Sequence, residues 1–339
     1  MRCILHIGTP KTGTTSLQRV LSSNREKLAG GGVYYSSTAG KFNSRALAVA
    51  ISPNRNQDFL SRHKLLDKDT FQRWREALLS NLSDEINAAA SSQDVYLLSS
   101  EHFASTLDQS SNVSSLADFL SPHFSDIKVV CYLRRQDLMA VSRISEALRA
   151  GLTRRGLPDV TSNESLPAIY DYCDLLARWG SAFGHSALQP KIFEKNQLVG
   201  GNIVTDFLKT ELRLELDQSA HPTENIALSA TAQLALLMFN RTAPDHSPTK
   251  TAERRLLFVK HLEKMAPGQS WLPSKKDAID FYRSFEPGNA RIAREFFNRD
   301  ALFEENFEQY PATEIRDDVA VAENLLEQFL AQPQNAKSR

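Results

Sequence analysis

A short turn near the start of the chain has the residue types that bind an oxyanion. Residues 8–15 (GTPKTGTT) follow an apolar segment and precede a segment with apolar residues at helical spacing. In such a strand-to-helix turn the backbone N–H groups converge, and the helix N-terminus adds a partial positive charge. The hydroxyl groups of Thr12, Thr14 and Thr15 are further donors. The turn is therefore predicted to bind a phosphate or sulfate group.

The lysine of this turn distinguishes it from the phosphate loop of nucleotide-hydrolysing proteins. Gly8 and Gly13 have the spacing of a Walker A motif, but Thr14 stands where that motif has its lysine. The one lysine of the turn, Lys11, lies between the two glycines. The pattern disfavours ATP hydrolysis. A nucleotide or small-molecule kinase stays open as an alternative, and it would require magnesium.

The turn resembles a segment of a known enzyme family. HIGTPKTGTT (residues 6–15) is similar to the 5′-phosphosulfate loop of the sulfotransferases, in which Pro-Lys-Ser/Thr-Gly-Thr-Thr follows the first strand. The resemblance implies a sulfotransferase, similar to the bacterial and carbohydrate-modifying members, that uses 3′-phosphoadenosine 5′-phosphosulfate (PAPS) and releases adenosine 3′,5′-bisphosphate. It also implies that the donor is bound by Pro10, Lys11, Thr12, Gly13, Thr14 and Thr15.

A second segment, YLRRQDLMAVS (residues 132–142), follows an apolar run that is typical of a buried strand. It resembles the family segment in which an arginine at a strand end and a serine eight residues later bind the 3′-phosphate. The resemblance implies these roles for Arg134 and Ser142. Arginine suits a phosphate because its planar guanidinium group can donate two parallel hydrogen bonds. The adjacent Arg135 is an alternative contact.

Two titratable residues follow another predicted strand, in LLSSEHF (residues 97–103). Several carbohydrate-modifying sulfotransferases have a glutamate at such a position, so the resemblance implies Glu101 as the general base. His102 is the rival, because the ordinary pKa of histidine suits proton abstraction at neutral pH. A structural role also stays open, in which Glu101 caps the next helix and His102 packs at its edge.

A third, weaker similarity lies in PGNARIAR (residues 287–294), which resembles a segment near the end of bacterial family members. The resemblance implies that Asn289 or Arg291 closes over the nucleotide. The alternative is the exposed start of an amphipathic helix.

The positions of these residues follow from the predicted order of strands and helices. Short apolar runs alternate with amphipathic helices, which predicts a doubly wound parallel sheet of P-loop-like type, with helices on both faces and a largely helical C-terminal half. Ligands bind such sheets beyond the carboxyl ends of the strands. The predicted strands are residues 3–7, 33–35, 95–98, 127–133 and 191–193.

Composition limits the function further. The 339 residues include 40 basic and 40 acidic side chains, so no global charge attracts nucleic acid or an anionic membrane. No apolar run has the length of about 18 residues that spans a bilayer, and none reads as an export signal. Cys3, Cys131 and Cys173 are predicted to be buried, reduced thiols. A cytoplasmic location is the expectation.

Residues 1–331 are predicted to form a single sulfotransferase-like α/β domain, followed by a flexible tail at residues 332–339. The expected reaction is an in-line transfer of a sulfuryl group to a hydroxyl or amine, without a metal. The acceptor is open between a glycan, a lipid-linked sugar and a small metabolite, with a carbohydrate favoured by the glutamate. Besides the kinase, a non-catalytic nucleotide-binding protein is an alternative.

Overall fold

The computed structural model describes residues 1–160, 168–216, 227–242, 248–314 and 318–332. Five parallel strands form one sheet in the order β2-β3-β1-β4-β5. The predicted doubly wound parallel sheet is confirmed. The strands are β1 (Arg2–His6), β2 (Val33–Tyr35), β3 (Val95–Ser99), β4 (Ile127–Leu133) and β5 (Leu188–Ile192).

Helices connect and surround the strands, as the alternating pattern predicts. They are α1 (Thr14–Ser23), α2 (Arg25–Gly30), α3 (Arg45–Ile51), α4 (Gln57–Arg62), α5 (Lys68–Ala90), α6 (Glu101–Thr106), α7 (Ser110–Leu120), α8 (Gln136–Ala150), α9 (Tyr172–Phe183), α10 (Ile203–Phe207), α11 (Ala230–Thr242), α12 (Pro248–Met265), α13 (Lys275–Arg283), α14 (Glu286–Phe297) and α15 (Val319–Ala331). A π-helical turn, Leu208–Leu212, continues α10.

The strand order makes β1 the switch point of the sheet. After β1 the chain forms β2 and β3 on one side, and it then crosses to form β4 and β5 on the other. All five residues of β3 and the last five of β4 are buried, as expected for strands covered on both faces. In a doubly wound sheet, ligands bind beyond the carboxyl ends of the strands at such a point. The turn after β1 lies there.

The chain divides into two compact units. The first contains the sheet and comprises Met1–Arg134, Pro167–Thr223 and Pro287–Phe303. Its core includes Ile4 of β1, Leu17 and Leu21 of α1, and Phe207 of α10, all at most 1% exposed.

The second unit comprises Arg135–Leu166, Glu224–Glu286 and Glu304–Arg339, and its described part is helical. Leu148 of α8, Leu236 of α11, Phe258 of α12 and Leu325 of α15 belong to its core. The single domain over residues 1–331 stays a prediction. Of the predicted tail, residues 333–339 lie outside the described residues.

The three cysteines are free thiols. Cys3 and Cys131 are buried, as predicted, whereas Cys173 is only partly so. Burial raises the pKa of the Cys131 thiol to about 12, and it raises that of Cys3 further. Both therefore stay protonated at neutral pH. Among the described helices, none combines the length and the apolar composition of a membrane span.

Candidate functional site

The turn after β1, residues 7–13, has three residues with positive φ, and we call it the phosphate loop. They are Gly8 (φ 43°), Lys11 (φ 65°) and Gly13 (φ 78°). A Cβ atom on Gly8 would lie 2.8 Å from Cγ2 of Thr14, so the backbone conformation and the close packing both require glycine. Lys11 adopts the left-handed conformation with a side chain, which is unusual and is typical of functional sites.

Two buried threonines hold the phosphate loop together. The hydroxyl of Thr9 donates to the carbonyl oxygen of Tyr132 in β4 over 2.5 Å. The hydroxyl of Thr12 donates to the carbonyl oxygen of Thr9 over 2.7 Å. Thr12 was expected to donate to the oxyanion, but in this structure its proton is used inside the loop.

Helix α1 begins directly after the phosphate loop, with Gly13 at the N-cap position and no side-chain cap from the described residues. The N–H groups of Ser16 and Leu17 donate to the carbonyl oxygen of Gly13. Thr15 lies exposed in the first turn, while Pro10 is buried in the loop. The positive end of the helix dipole thus faces the loop, which is the arrangement that favours a bound anion.

Glu101 contacts the phosphate loop region through Thr14. The sheet register pairs His6 with Ser99, so Gly8 and Glu101, each two residues further on, lie side by side. The hydroxyl of Thr14 donates to Oε2 of Glu101 over 2.8 Å. The cap of α6 is Ser100, whose hydroxyl accepts from the N–H of His102. The carboxylate of Glu101 is therefore directed to Thr14 and not into a helix cap.

His102 has a different environment. Burial lowers its pKa to about 4, helped by the positive charge of Arg45 and opposed by Asp58. The imidazole is consequently neutral at pH 7, and its conjugate acid is too strong for it to hold an abstracted proton well. Of the two sequence candidates for the base, Glu101 is the one bonded to a residue next to the loop.

Arg134 lies on the other side of the phosphate loop. Its Nη1 donates to the carbonyl oxygen of Lys11 over 2.7 Å. The register of β4 with β5 pairs Leu133 with Ile192, which places Arg134 beside Phe193. The guanidinium carbon lies 5.8 Å from the centre of that ring. The structure therefore brings Lys11, Thr14, Glu101 and Arg134 together around one loop, within one compact unit.

Arg135 and Ser142 belong to the second unit. The guanidinium of Arg135 is buried and donates twice to the carboxylate of Asp137, over 2.8 and 2.9 Å. It also donates to the carbonyl oxygen of Glu304 and lies 4.2 Å from the ring centre of Phe307. Arg135 therefore stabilises its own unit, and the alternative that it binds the phosphate is not supported. Ser142 lies half-buried on α8, and its pairing with Arg134 stays a prediction.

A cavity of about 400 Å³ opens beside the N-terminus of α1. This is the size range of small-molecule and cofactor sites. One wall comes from α1 and the other from the chain after β5. The lining includes Gly13, Ser16, Val20, Phe193, Lys195 and Asn202. The cavity was not predicted from the sequence, although Phe193 at a strand end and the adjacent glycines Gly200 and Gly201 were visible signals.

Asp206 holds the outer wall of the cavity in place. Its Oδ1 accepts a hydrogen bond from the N–H of Val199. Its Oδ2 accepts two hydrogen bonds of 2.7 Å, one from the hydroxyl of Tyr132 and one from Nζ of Lys191. Burial raises the pKa of Asp206, but the bonds from Lys191, Val199 and Tyr132 together bring it below its usual value. Tyr132 thus contacts the phosphate loop through its carbonyl oxygen and the cavity wall through its hydroxyl.

The segment of residues 287–294 lies within α14. Asn289 is buried, whereas Arg291 is 65% exposed and lies 3.5 Å from Glu295, four residues later. A role of either residue at the nucleotide stays a prediction. The segment begins at the second residue of α14 and so lies at the start of a helix.

Comparisons with known proteins add limited information. No protein-family model matches the chain. An uncharacterized protein from Archaeoglobus fulgidus is 26% identical over 191 residues, which are 54% of this chain and 50% of that protein. The chain thus spans about half the length of this relative. The crystal structure of a sulfotransferase from Alicyclobacillus acidocaldarius aligns with 88% of this chain and 96% of its own, at 14% identity and a TM-score of 0.40. Sequence identity and structural similarity at this level do not show that the two proteins share an activity.

Proposed function

We propose that the protein is a sulfotransferase that moves a sulfuryl group from PAPS to a hydroxyl or amine of an acceptor. The observation that carries the proposal is the set of contacts around the phosphate loop, where Arg134 donates to the backbone of Lys11 and Thr14 donates to the carboxylate of Glu101. Lys11 and Arg134 supply positive charge, and Thr14 connects the loop to the carboxylate of Glu101. A cation, an oxyanion loop and a base at one point are the requirements of group transfer between oxygen atoms.

The donor would occupy the side of the sheet formed by β1, β4 and β5. Its 5′-phosphosulfate fits the phosphate loop, because the N-terminus of α1 faces it. The nucleoside fits the adjacent cavity, where the ring of Phe193 offers a stacking surface. We assign Arg134, which donates to the carbonyl oxygen of Lys11 and lies beside Phe193, to the phosphate on the ribose.

The proposed chemistry gives one role each to Lys11 and Glu101. A bond forms between the acceptor oxygen and sulfur, while the bond from sulfur to the bridging oxygen of the nucleotide breaks. The ammonium of Lys11 and the loop N–H groups stabilise the negative charge that develops on that bridging oxygen. Glu101 accepts the acceptor proton, and the bond from Thr14 orients its carboxylate.

Binding and turnover test the proposal separately. Calorimetry of the folded protein is expected to show binding of adenosine 3′,5′-bisphosphate that is tighter than binding of AMP. Incubation with radiolabelled PAPS and cell extracts is then expected to yield a labelled product without added magnesium. Absence of heat with the bisphosphate rules the proposal out. Magnesium-dependent turnover of ATP identifies a kinase, and tight binding without any sulfated product identifies a nucleotide-binding protein.

A further inference from the structure

A buried histidine stands immediately before the phosphate loop. His6, the last residue of β1, is fully buried, and its Nδ1 lies 2.8 Å from the hydroxyl oxygen of Ser99, the last residue of β3. The proposed reaction gives His6 no role. Because Ser99 stands two residues before Glu101, this contact joins the start of the phosphate loop to the strand that carries the proposed base.

The imidazole of His6 is neutral at pH 7. Burial lowers its pKa to about 3 against the charge of Glu211, and the charge of Lys191 adds to the effect of burial. A neutral imidazole donates from one ring nitrogen and accepts at the other. The partners of Ser99 therefore determine which nitrogen of His6 carries the proton.

The hydroxyl of Ser99 has a second partner, Gln18, which lies one turn after Thr14 on the same face of α1. The amide nitrogen of Gln18 donates to this hydroxyl over 3.4 Å, and its amide oxygen accepts from Nδ2 of Asn43 over 3.3 Å. If Nδ1 of His6 also donated, the serine proton and the lone pair on Nε2 would both lack a partner among the described residues. The hydroxyl therefore donates to Nδ1, and the proton of His6 is on Nε2.

Nε2 of His6 has no hydrogen-bond partner among the residues that the structure describes. The ring packs against Phe207 and Tyr132, with ring centres 5.3 and 5.9 Å away. An unpaired buried N–H group lowers the stability of a fold. An apolar side chain would fill the same place without this loss. Stability therefore does not explain the histidine, whereas its bond to Ser99 does.

The bond from Ser99 acts where the pairing of β3 stops. The pairing with β2 ends at Leu97, and the pairing with β1 ends at Ser99. At this point Ser44 takes the place of a strand. Its N–H donates to the carbonyl oxygen of Ser99 over 2.8 Å, and its hydroxyl accepts from the N–H of Ser99 over 3.0 Å. Side-chain bonds thus hold the end of β3.

The backbone of Glu101 packs tightly on the phosphate loop. The N–H of Ser100 donates to the carbonyl oxygen of His6 over 3.0 Å, and a Cβ atom on Gly8 would lie 3.3 Å from Cα of Glu101. A displacement of the chain at the end of β3 would therefore move the carboxylate of Glu101 away from Thr14. Small displacements of a reacting group reduce the rate strongly.

We infer that His6 is a positioning residue for the proposed base: its imidazole accepts the hydrogen bond of Ser99 and thereby holds the end of β3 so that Glu101 meets Thr14. This inference rests on the proposed function, because it takes Glu101 as the base. It gives His6 a role that acts through Ser99 and not through contact with a ligand.

Two substitutions of His6 separate the hydrogen bond from the packing of the ring. His6→Leu fills the space without an acceptor for Ser99, whereas His6→Asn has an amide oxygen that can take the place of Nδ1. The rate of label transfer from saturating radiolabelled PAPS to a cell extract is expected to fall about tenfold in His6→Leu and less than about threefold in His6→Asn. Calorimetry with adenosine 3′,5′-bisphosphate is expected to show unchanged affinity in both.

A matched control lies in the second unit. His261 also has an unpartnered Nε2 and packs against aromatic rings, those of Phe258 and Phe329. His261→Leu is expected to transfer label as the unaltered protein does. Two-bond proton–nitrogen NMR correlation spectra of the unaltered protein add a measurement that does not depend on activity. They are expected to show the proton of His6 on Nε2.

Several results would overturn the inference. They are a proton on Nδ1 of His6, unchanged transfer in His6→Leu, an equal loss in His6→Leu and His6→Asn, and an equal loss in His261→Leu. The proposed function has a separate test in the same experiment. Absence of bisphosphate binding, or of any labelled product, in the unaltered protein overturns the proposed function instead.

Discussion

The hydroxyl of Thr14 donates a hydrogen bond of 2.8 Å to the carboxylate of Glu101. The two residues lie 87 positions apart, and the pairing of β1 with β3 brings them together. The bond connects the helix end at which the donor is proposed to bind with the group proposed to remove the acceptor proton.

Replacement of the proposed base is expected to stop transfer without affecting nucleotide binding. Glu101→Gln keeps an oxygen that accepts from Thr14 but cannot take a proton, so turnover should fall by about 10²- to 10⁴-fold. Sulfated product and calorimetry with adenosine 3′,5′-bisphosphate measure the two effects. His102→Gln is the matched control and should retain most activity. The reverse result would assign the base to His102.

Lys11 combines a proposed catalytic charge with a left-handed backbone. Lys11→Gly and Lys11→Ala both remove the ammonium, so both should lower turnover, with a modest loss of bisphosphate affinity. They differ in the backbone, because only glycine adopts φ 65° without strain of about 1–2 kcal/mol. Thermal unfolding should therefore show the glycine variant to be at least as stable as the alanine variant. Unchanged turnover in both would exclude Lys11 from the reaction.

Arg134 is expected to have two roles, and binding of two different ligands distinguishes them. Arg134→Ala should weaken adenosine 3′,5′-bisphosphate binding by about 2–4 kcal/mol, the cost of deleting one member of a desolvated charge pair. It also deletes the bond to the Lys11 carbonyl, so AMP should lose affinity by about 1 kcal/mol. Calorimetry with both ligands measures the difference. An equal loss for both would show that Arg134 only supports the loop.

Substitution of Gly8 tests whether the phosphate loop has the described conformation. In Gly8→Ala the new methyl group would meet Thr14 at 2.8 Å and the Cα atom of Glu101 at 3.3 Å, at a positive φ. Stability should fall by about 1–3 kcal/mol, and turnover with it. Gly30→Ala is the control, since a Cβ atom there meets nothing within 4 Å. Chemical denaturation of the two variants should separate them clearly, and equal stability would contradict the loop geometry.

Asp206 is expected to make stability depend on pH. Its pKa in the folded protein lies below the ordinary value of 3.8, so its contribution is complete above that pH and is lost as the pH falls through the folded pKa. Asp206→Asn should therefore be less stable than the unaltered protein at pH 7, by about 1–3 kcal/mol. The difference should shrink below pH 4. A pH-independent difference in denaturation midpoint would contradict the ionic role.

Local patterns were sufficient to predict the central part of the fold. The apolar run before Gly8 predicted β1 within one residue at each end, and the helical spacing after it predicted α1. The predicted strand at residues 127–133 agrees with β4. Glu101 was selected as a candidate because polar residues just after a buried strand lie at the carboxyl edge of a parallel sheet.

The contacts that complete the site were not visible in the sequence, since they join distant segments. Thr9 and Tyr132 are 123 residues apart, and nothing local indicates that the hydroxyl of Thr12 would be used inside the loop. The cavity wall was missed for a similar reason. Asp206 fixes it through Tyr132 and Lys191, which belong to two different strands. The connection between β2 and α3, residues 36–44, is likewise held by Glu85, which lies more than 40 positions after it.

Tyr132 connects two parts of the molecule, the phosphate loop and the wall of the cavity. Its carbonyl oxygen accepts from Thr9 in the phosphate loop, and its hydroxyl donates to Asp206 in the wall of the cavity. A substitution that displaces the ring of Tyr132 and enlarges the cavity is therefore expected also to shift the backbone that supports the phosphate loop. For the proposed donor, a change in the nucleoside cavity and a change in the loop that binds its charged end are thus coupled through one residue.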